Sequence, residues 1–364
     1  MKFTVSREAK DLHKRSLVVD LHVDSLYVAR YTGIDLTKRH RNPLPYAPLM
    51  FHADIPRLIE GGIKAVGWGL VVNPMTTAER RMKSVWRYVY RFRELIRRSG
   101  GKLYHILSPQ DLRVEDEKVG AFLGIEGAHA LGNRLELVET YYRWGVRYLT
   151  LTHFSSNKAA HPAQGWGYWR KENGLTEFGR AVISECKRLG MIVDLAHINK
   201  KGFMQAVKLI DGPFIVSHSG AKAICNKKRL IDDEQLKAVA DSGGVVGIIF
   251  ATYWTGGKLF ETVDALINQI DYIAKKFGVE HVCLGSDMDG TCWAYVKGIN
   301  GVDDYPLITE MLLRRGYSAD NIQKILGLNF KRVYEEVWNR ADKNAKSKGP
   351  AFDIKSEVTD EVAG

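Results

Sequence analysis

The stretch LVVDLHVDSL (17–26) places Asp20, His22 and Asp24 at every second position of an apolar, β-type run. Side chains alternate faces along a strand, so these three are expected to point the same way. Ionisable groups on a face bound for a core are costly unless a hydrogen-bond network or a metal ion satisfies them. The same residue types end later runs: Glu126 in VGAFLGIEG (119–127), His153 in VRYLTLTHF (146–154), His197 in MIVDLAH (191–197), His218 in PFIVSHS (213–219) and Asp287 in HVCLGSD (281–287). One strand-end histidine is more often a structural hydrogen-bonder than a ligand. So many at the same end of six runs have no structural reason to coincide. Histidines and carboxylates without cysteine suit zinc or another first-row divalent ion. His22, Asp24, His197 and His218 can serve as terminal ligands and Glu126 as a bridge between two ions. Such a pair, about 3.5–4 Å apart, holds a bridging hydroxide and polarises a carbonyl or phosphoryl oxygen. Asp20 is then a supporting group, either a strand-end hydrogen-bonder or a residue that orients a ligand.

These residues need elements that bring them to one place. Besides the six runs above (the first of them reading as a strand over SLVVDLHVD, 16–24), IKAVGWGLVV (63–72) and GVVGIIFATYW (244–254) read as strands, giving eight. Amphipathic segments lie between them, among them TEFGRAVISECKRLG (176–190), DDEQLKAVADSGG (232–244) and TVDALINQIDYIAKKFG (262–278), each closed by glycine. Near-continuous apolar strands followed by helices imply a parallel sheet covered on its outer face. An α/β fold of the (β/α)8 TIM-barrel type, with metal-dependent hydrolase architecture, is therefore expected over residues 1–340. The strand ends would converge on its catalytic rim. A doubly wound open sheet is the alternative, but no GxGxxG follows the first strand. The Pro-rich segment 25–62 reads as a long insertion, loop plus a short helix, on the catalytic side. Residues 341–364 read as a polar tail.

Composition narrows the partners. Lysine plus arginine number 53 against 42 acids, a formal charge of +11. The densest basic stretch, RYVYRFRELIRRSG (87–100), reads as a helix with Val89, Phe92, Leu95 and Ile96 inward and a solvated basic face, so no nucleic-acid partner is expected. Cys186, Cys225, Cys283 and Cys292 show neither CxxC nor zinc-finger spacing, and nothing in them calls for disulfides. The N-terminal stretch lacks an apolar signal region, no run approaches a membrane span, and the tail is polar. A cytoplasmic protein without a membrane anchor is expected, with a homodimer left open.

Taken together, VVDLHVD, GIEGAHAL, LTHFSSN, GLTEFGRAVISECKRLGMIVDLAH, VSHSGAKAI, DDEQLKAVADSGGVVGI, LGSDMDG and LGLNFKRVYEEVW resemble the membrane dipeptidase (renal dipeptidase) family of zinc peptidases. The resemblance runs from about residue 16 to 340. It implies a (β/α)8 barrel with two zinc ions that cleaves dipeptides by attack of a metal-bridging hydroxide and tolerates a C-terminal D-residue. It also implies that His22 and Asp24 bind one ion, Glu126 bridges, and His197 and His218 bind the other. His153 matches a substrate-contacting histidine and Asp287 the residue that moves the proton to the leaving amine. Arg229 matches a carboxylate-binding arginine, although Leu230 stands where the family commonly has asparagine and Lys227 and Lys228 precede it. The aromatic loop 157–174 is unusual for the family. Other binuclear amide hydrolases, metal-dependent phosphodiesterases and non-enzymatic binding barrels are the alternatives. Phosphodiesterase barrels and most amidohydrolases generally carry HxH on the first strand, where this chain has HxD.

Overall fold

The computed structural model describes residues 3–42, 44–48, 51–167 and 173–344. Nine strands run β1 Val19–Val23, β2 Ala65–Val71, β3 Leu103–His105, β4 Val119–Glu126, β5 Val146–Thr150, β6 Ile192–Asp194, β7 Ile215–Ser219, β8 Val245–Ile248 and β9 Val282–Leu284. All pairings between them are parallel, and β1–β2–β4–β5–β6–β7–β8–β9 closes on β1 through the β2–β4 and β1–β9 pairs. The eight barrel strands are the eight runs expected. The ninth, β3, was not expected: it pairs only with the start of β4, from Leu103 opposite Val119 to His105 opposite Ala121, before β5 takes over at Leu123. Three residues are too few for periodicity to betray them.

Two packed layers hold the barrel. Inside, Val19, Leu21, Phe122, Tyr148, Ile192, Ile215 and Val245 form one buried cluster, joined by Phe330, Val333 and Tyr334 of the helix Asn329–Arg340. Phe330 stacks on Phe122 with ring centres 5.0 Å apart, so this helix plugs the end where the strands begin. Outside, helices such as Glu177–Leu189, Asp233–Asp241 and Val263–Phe277 cover the sheet where amphipathic periodicity placed them. Thr176 caps the first of these and Gly190 ends it at φ 72°, a left-handed stop that glycine adopts freely. Asp232 and Gln235 form a capping box on the second. The basic segment lies within the helix Ala78–Arg98, with Val89, Phe92 and Leu95 buried as read and Ile96 half-buried.

Segment 25–62 departs from the expected loop with one short helix. It holds two helices, Ser25–Thr32 directly after β1 and Ile55–Glu60. Its irregular part is tied down by His52, whose Nδ1 lies 2.8 Å from Asp289, itself bonded to Ser25. The four cysteines are free, three of them buried. No helix among the described residues is long and apolar enough to cross a membrane. Residues 168–172 of the aromatic loop and 345–364 of the tail lie outside the described residues.

Candidate metal centre

The local path of β1 decides what its polar residues do. Val19 and Leu21 belong to the inner cluster and Val18 and Val23 to the outer one, so alternation slips between Leu21 and Val23, where the pairing with β2 is also irregular. Asp20 therefore does not share a face with His22 and Asp24 as strict alternation predicted. Its carboxylate accepts from the backbone N–H groups of Ser286 (2.9 Å) and His22 (3.1 Å) and from the Tyr305 hydroxyl. Asp20 is a hydrogen-bonder that staples β1 to the segment after β9. That staple matters, because Asp287 N–H then donates to His22 O (3.0 Å) and Asp24 N–H to Met288 O (2.8 Å). Asp287 is thus carried against His22 and Asp24.

The other predicted residues meet at one rim. Glu126 Oε1 lies 3.1 Å from His197 Nε2, 3.4 Å from His218 Nε2, 3.5 Å from His153 Nε2 and 3.6 Å from His22 Nε2. His22 Nε2 lies 3.5 Å from Asp24 Oδ1, and the His22 and His218 rings stack at 4.1 Å. Three groups of potential ligand atoms result: His22, Glu126 and His218; Glu126, His153 and His197; His22, Asp24 and Asp287. Glu126 and His22 each belong to two of them, and of these only the carboxylate has two oxygens with which to bridge.

Several observations test whether a cation fits. His22 Nε2, Asp24 Oδ1 and Glu126 Oε2 are buried and have no hydrogen-bond partner, an arrangement costly without a ligand. His197 Nε2 faces His218 Nε2 at 2.9 Å, Glu126 Oε1 at 3.1 Å and Arg229 Nη2 at 3.1 Å, more neighbours than one ring nitrogen can satisfy. Neighbouring ligands on a tetrahedral ion with bonds of about 2.0–2.1 Å stand roughly 3.3 Å apart, close to the separations found. Burial pushes Asp287 up to about 8, with Arg229 and His22 opposing and Asp24 and Glu126 adding to the rise. Asp24 is likewise pushed up by burial, to about 6. Burial holds His197 and His218 well below the usual imidazole range, helped by Arg229 for the first and His22 for the second, so both are neutral. Neutral His197 and His218 beside crowded carboxylates suit a divalent metal site, whereas at His22 burial is outweighed by Tyr148, Glu126 and Asp24, which hold it well above the usual imidazole range.

A supporting layer that the sequence reading did not assign fixes the rings. Tyr148 Oη meets His22 Nδ1 at 2.8 Å. Ser217 Oγ lies 2.8 Å from His218 Nδ1 and donates to Asp194 at 2.6 Å, which also accepts from Thr150. Each bond occupies Nδ1 and leaves Nε2 free to face the centre. Asp194 carries a visible signal, since VDLAH (193–197) echoes VDLHVD (19–24). Glycines make the room. A Cβ on Gly124 would fall inside the Tyr148 ring, and one on Gly69 would stand 2.7 Å from His22 Cε1 and closer still to Asp24 Oδ1. His197, Asp287 and Asp289 adopt left-handed backbone (φ 66°, 58° and 66°), a conformation non-glycine residues hold only under local constraint.

Over this centre opens a cavity of about 420 Å³ that Asp24, Glu126, His153, His197, Arg229 and Asp287 help to line. Arg229 is buried, donates to His218 O at 3.0 Å and lies over the Trp254 ring, whereas Lys228 is exposed. Tyr27, Phe154, Trp254 and Trp293, none of them singled out from sequence, form much of the wall. A larger groove of about 730 Å³, beside Lys10, Lys14, Lys64 and Asp116, lies away from the centre, and its Lys14 and Lys64 pair with Asp116.

Comparison with known proteins gives the family. Residues 6–348 match the family model described as membrane dipeptidase (peptidase family M19). The chain is 30% identical over 330 residues to dipeptidase tcpJ of Claviceps purpurea, covering 87% of this chain and 76% of that protein. It is also 30% identical over 295 residues to mouse (Mus musculus) dipeptidase 3, covering 80% of this chain and 59% of that one. Among solved structures, the metallopeptidase called dipeptidase AC superposes with a TM-score of 0.79 at 25% identity, over 89% of this chain and 99% of its own. A Rhodobacter sphaeroides metallopeptidase, solved with a phosphinate mimic of the dipeptide L-Ala-D-Ala, has the same fold (TM-score 0.79, 24% identity, 89% and 100% covered). With its barrel and its cluster of ligand-type side chains, the chain belongs to the membrane dipeptidase family of peptide-bond hydrolases, peptidase family M19.

Proposed function

We propose that this rim hydrolyses dipeptides with two divalent ions, zinc by donor type, held by His22 and Asp24 on one side, His197 and His218 on the other, and Glu126 between. The observation that carries the reading is the Glu126 carboxylate, buried among four imidazole Nε2 atoms with one oxygen unpartnered. A bound metal pair supplies a water of lowered pKa and polarises the scissile carbonyl. The chain's own residues do the rest. His153 lines the cavity beside the centre and donates to the carbonyl oxygen as it gains charge. Asp287, set against His22 and Asp24 by its backbone bond, takes the proton from the attacking water and delivers it to the leaving amine. Arg229 has N–H groups left after bonding His218 O and takes the substrate's free carboxylate. A carboxylate clamp requires a substrate that ends one residue past the cleaved bond. A relative was solved with a mimic of L-Ala-D-Ala, which supports tolerance of a D-residue at that end.

Metal analysis with a peptide panel tests the proposal. Two equivalents of metal per chain and turnover of L-Ala-L-Ala and L-Ala-D-Ala are expected, with C-terminal amides and tripeptides poor. Glu126→Ala is expected to lose both activity and metal. Full activity in protein stripped of metal by chelation overturns the metal assignment, and amides turned over as fast as free dipeptides remove the clamp.

A further inference from the structure

Beyond the ligand set, the cavity has a wall of distinctive build. Arg229 Cζ stands 5.5 Å from the centre of the Trp254 ring, which packs edge-on against Tyr253 (4.7 Å, 83°). Tyr253 in turn stacks on Trp293 (4.0 Å, 8°), and Lys227 Nζ stands 3.9 Å from the Tyr253 ring centre. Two groups that close over one ring must occupy its opposite faces, so Tyr253 is the middle layer between Lys227 and Trp293. The cation and the stack hold Trp293 in place before any substrate arrives. Trp293 is 39% exposed and lines the cavity, as does the nearly buried Trp254. Among the described lining residues, the only charged side chains are Arg229 and the carboxylates Asp24, Glu126 and Asp287 at the metal centre. The cavity, about 420 Å³, is larger than two alanine residues would fill.

We infer that the site selects dipeptides whose carboxy-terminal residue bears an aromatic or large apolar side chain, packed on Trp293 and Trp254, and that Trp293 determines this specificity. The inference rests on the dipeptide reading above. A carboxylate paired with Arg229 puts its own Cα beside Trp254, and the wall continues from there through Tyr253 to Trp293. An aromatic substrate side chain gains area burial and ring packing there. An acidic or basic one loses solvent without finding a partner.

The experiment compares kcat/KM of the metal-loaded full chain for L-Ala-L-Phe, L-Ala-L-Leu, L-Ala-L-Ala and L-Ala-L-Asp. Phe and Leu are expected to exceed Ala by roughly ten- to a hundredfold, with Asp below Ala. In Trp293→Ala the Phe-to-Ala ratio is expected to fall toward one, and in Trp293→Phe most of it is retained; metal content and thermal melting verify that each variant is folded and loaded. A wild-type ratio near one in an enzyme that cleaves L-Ala-L-Ala overturns this inference and leaves the dipeptide reading standing. So does a Trp293→Ala variant that keeps the preference. No hydrolysis of any of the four peptides overturns both.

Discussion

Gly69→Ala is the smallest substitution that tests how tightly the barrel is built around the proposed metal centre. Gly69 lies on β2 with its missing side chain facing β1, and its φ is not in the left-handed region, so alanine suits the backbone. The added methyl would stand 2.7 Å from His22 Cε1 and closer still to Asp24 Oδ1. Ordinary carbon contacts need about 3.5–4.0 Å, so these two side chains must retreat by roughly 1 Å. Both are buried, and the Asp24 backbone is pinned to Met288, so the retreat cannot be absorbed by solvent-facing freedom. Overpacking of this kind costs about 1–3 kcal/mol of stability. A misplacement of about 1 Å at a catalytic group costs on the order of a hundredfold in rate. Gly69→Ala should therefore fold, melt a few degrees lower, bind at least one metal equivalent weakly and lose about a hundredfold in kcat for L-Ala-L-Ala. Atomic emission on dialysed protein, a melting scan and steady-state kinetics make the comparison. Wild-type metal content together with kcat within twofold of wild type would refute the packing argument and the assignment of His22 and Asp24 to the centre.

Further expectations follow from the supporting layer and from a histidine remote from the site. Tyr148→Phe removes the partner of His22 Nδ1 and Ser217→Ala the partner of His218 Nδ1; each should weaken metal binding by roughly ten- to a hundredfold in a competition titration with a chelating dye, and unchanged affinity in both would deny that these bonds set the ligand rings. His13 is buried and neutral: burial lowers its pKa to about 4, while its ring nitrogens bond Thr309 Oγ1 (2.7 Å) and Gly61 O (2.8 Å). The unfolded chain takes up that proton near 6.5, the folded one only near 4, so stability is present above 6.5 and is lost as pH falls through this window, by up to about 3 kcal/mol. Urea midpoints at pH 7 and 4.5 should diverge more in the wild type than in His13→Gln, and equal divergence would remove His13 from the acid response.

The chemistry at the rim was readable because it obeys position as well as residue type. His22, Glu126, His153, His197, His218 and Asp287 each follow an apolar run, and a closed parallel barrel leaves such positions one common end. Asp20 was misplaced because period-two alternation cannot foresee a slip in register. The sequence predicts only one short helix in 25–62; the second is hard to see because Ser25–Thr32 follows Asp24, a residue already claimed as a ligand, with no intervening turn. The aromatic wall was illegible for a different reason. Tyr27 lies on the helix Ser25–Thr32, Trp254 on the short helix Thr252–Thr255 and Trp293 in the segment after β9, and so short a stretch carries no periodicity to mark what a ring will face. Tyr148 and Ser217 stand inside strands, where they look like ordinary sheet residues until the partner across the barrel is known.

The plug of Phe330, Val333 and Tyr334 sets the order in which this enzyme can come into being on the ribosome. β1, with His22 on it and Asp24 directly after it, is the first strand to emerge, yet its second neighbour, β9, begins only at Val282. The floor of the barrel waits longer still, for the helix that ends at Arg340. Without that helix the interior lined by Leu21, Phe122 and Ile215 is unfilled, and a sheet left open at β1 exposes an edge of the kind that pairs wrongly. Closure of β9 on β1 completes the core and brings Asp287 against His22 and Asp24. Loss of the helix Asn329–Arg340 should cost the whole barrel and not one element of it, because its side chains fill the interior.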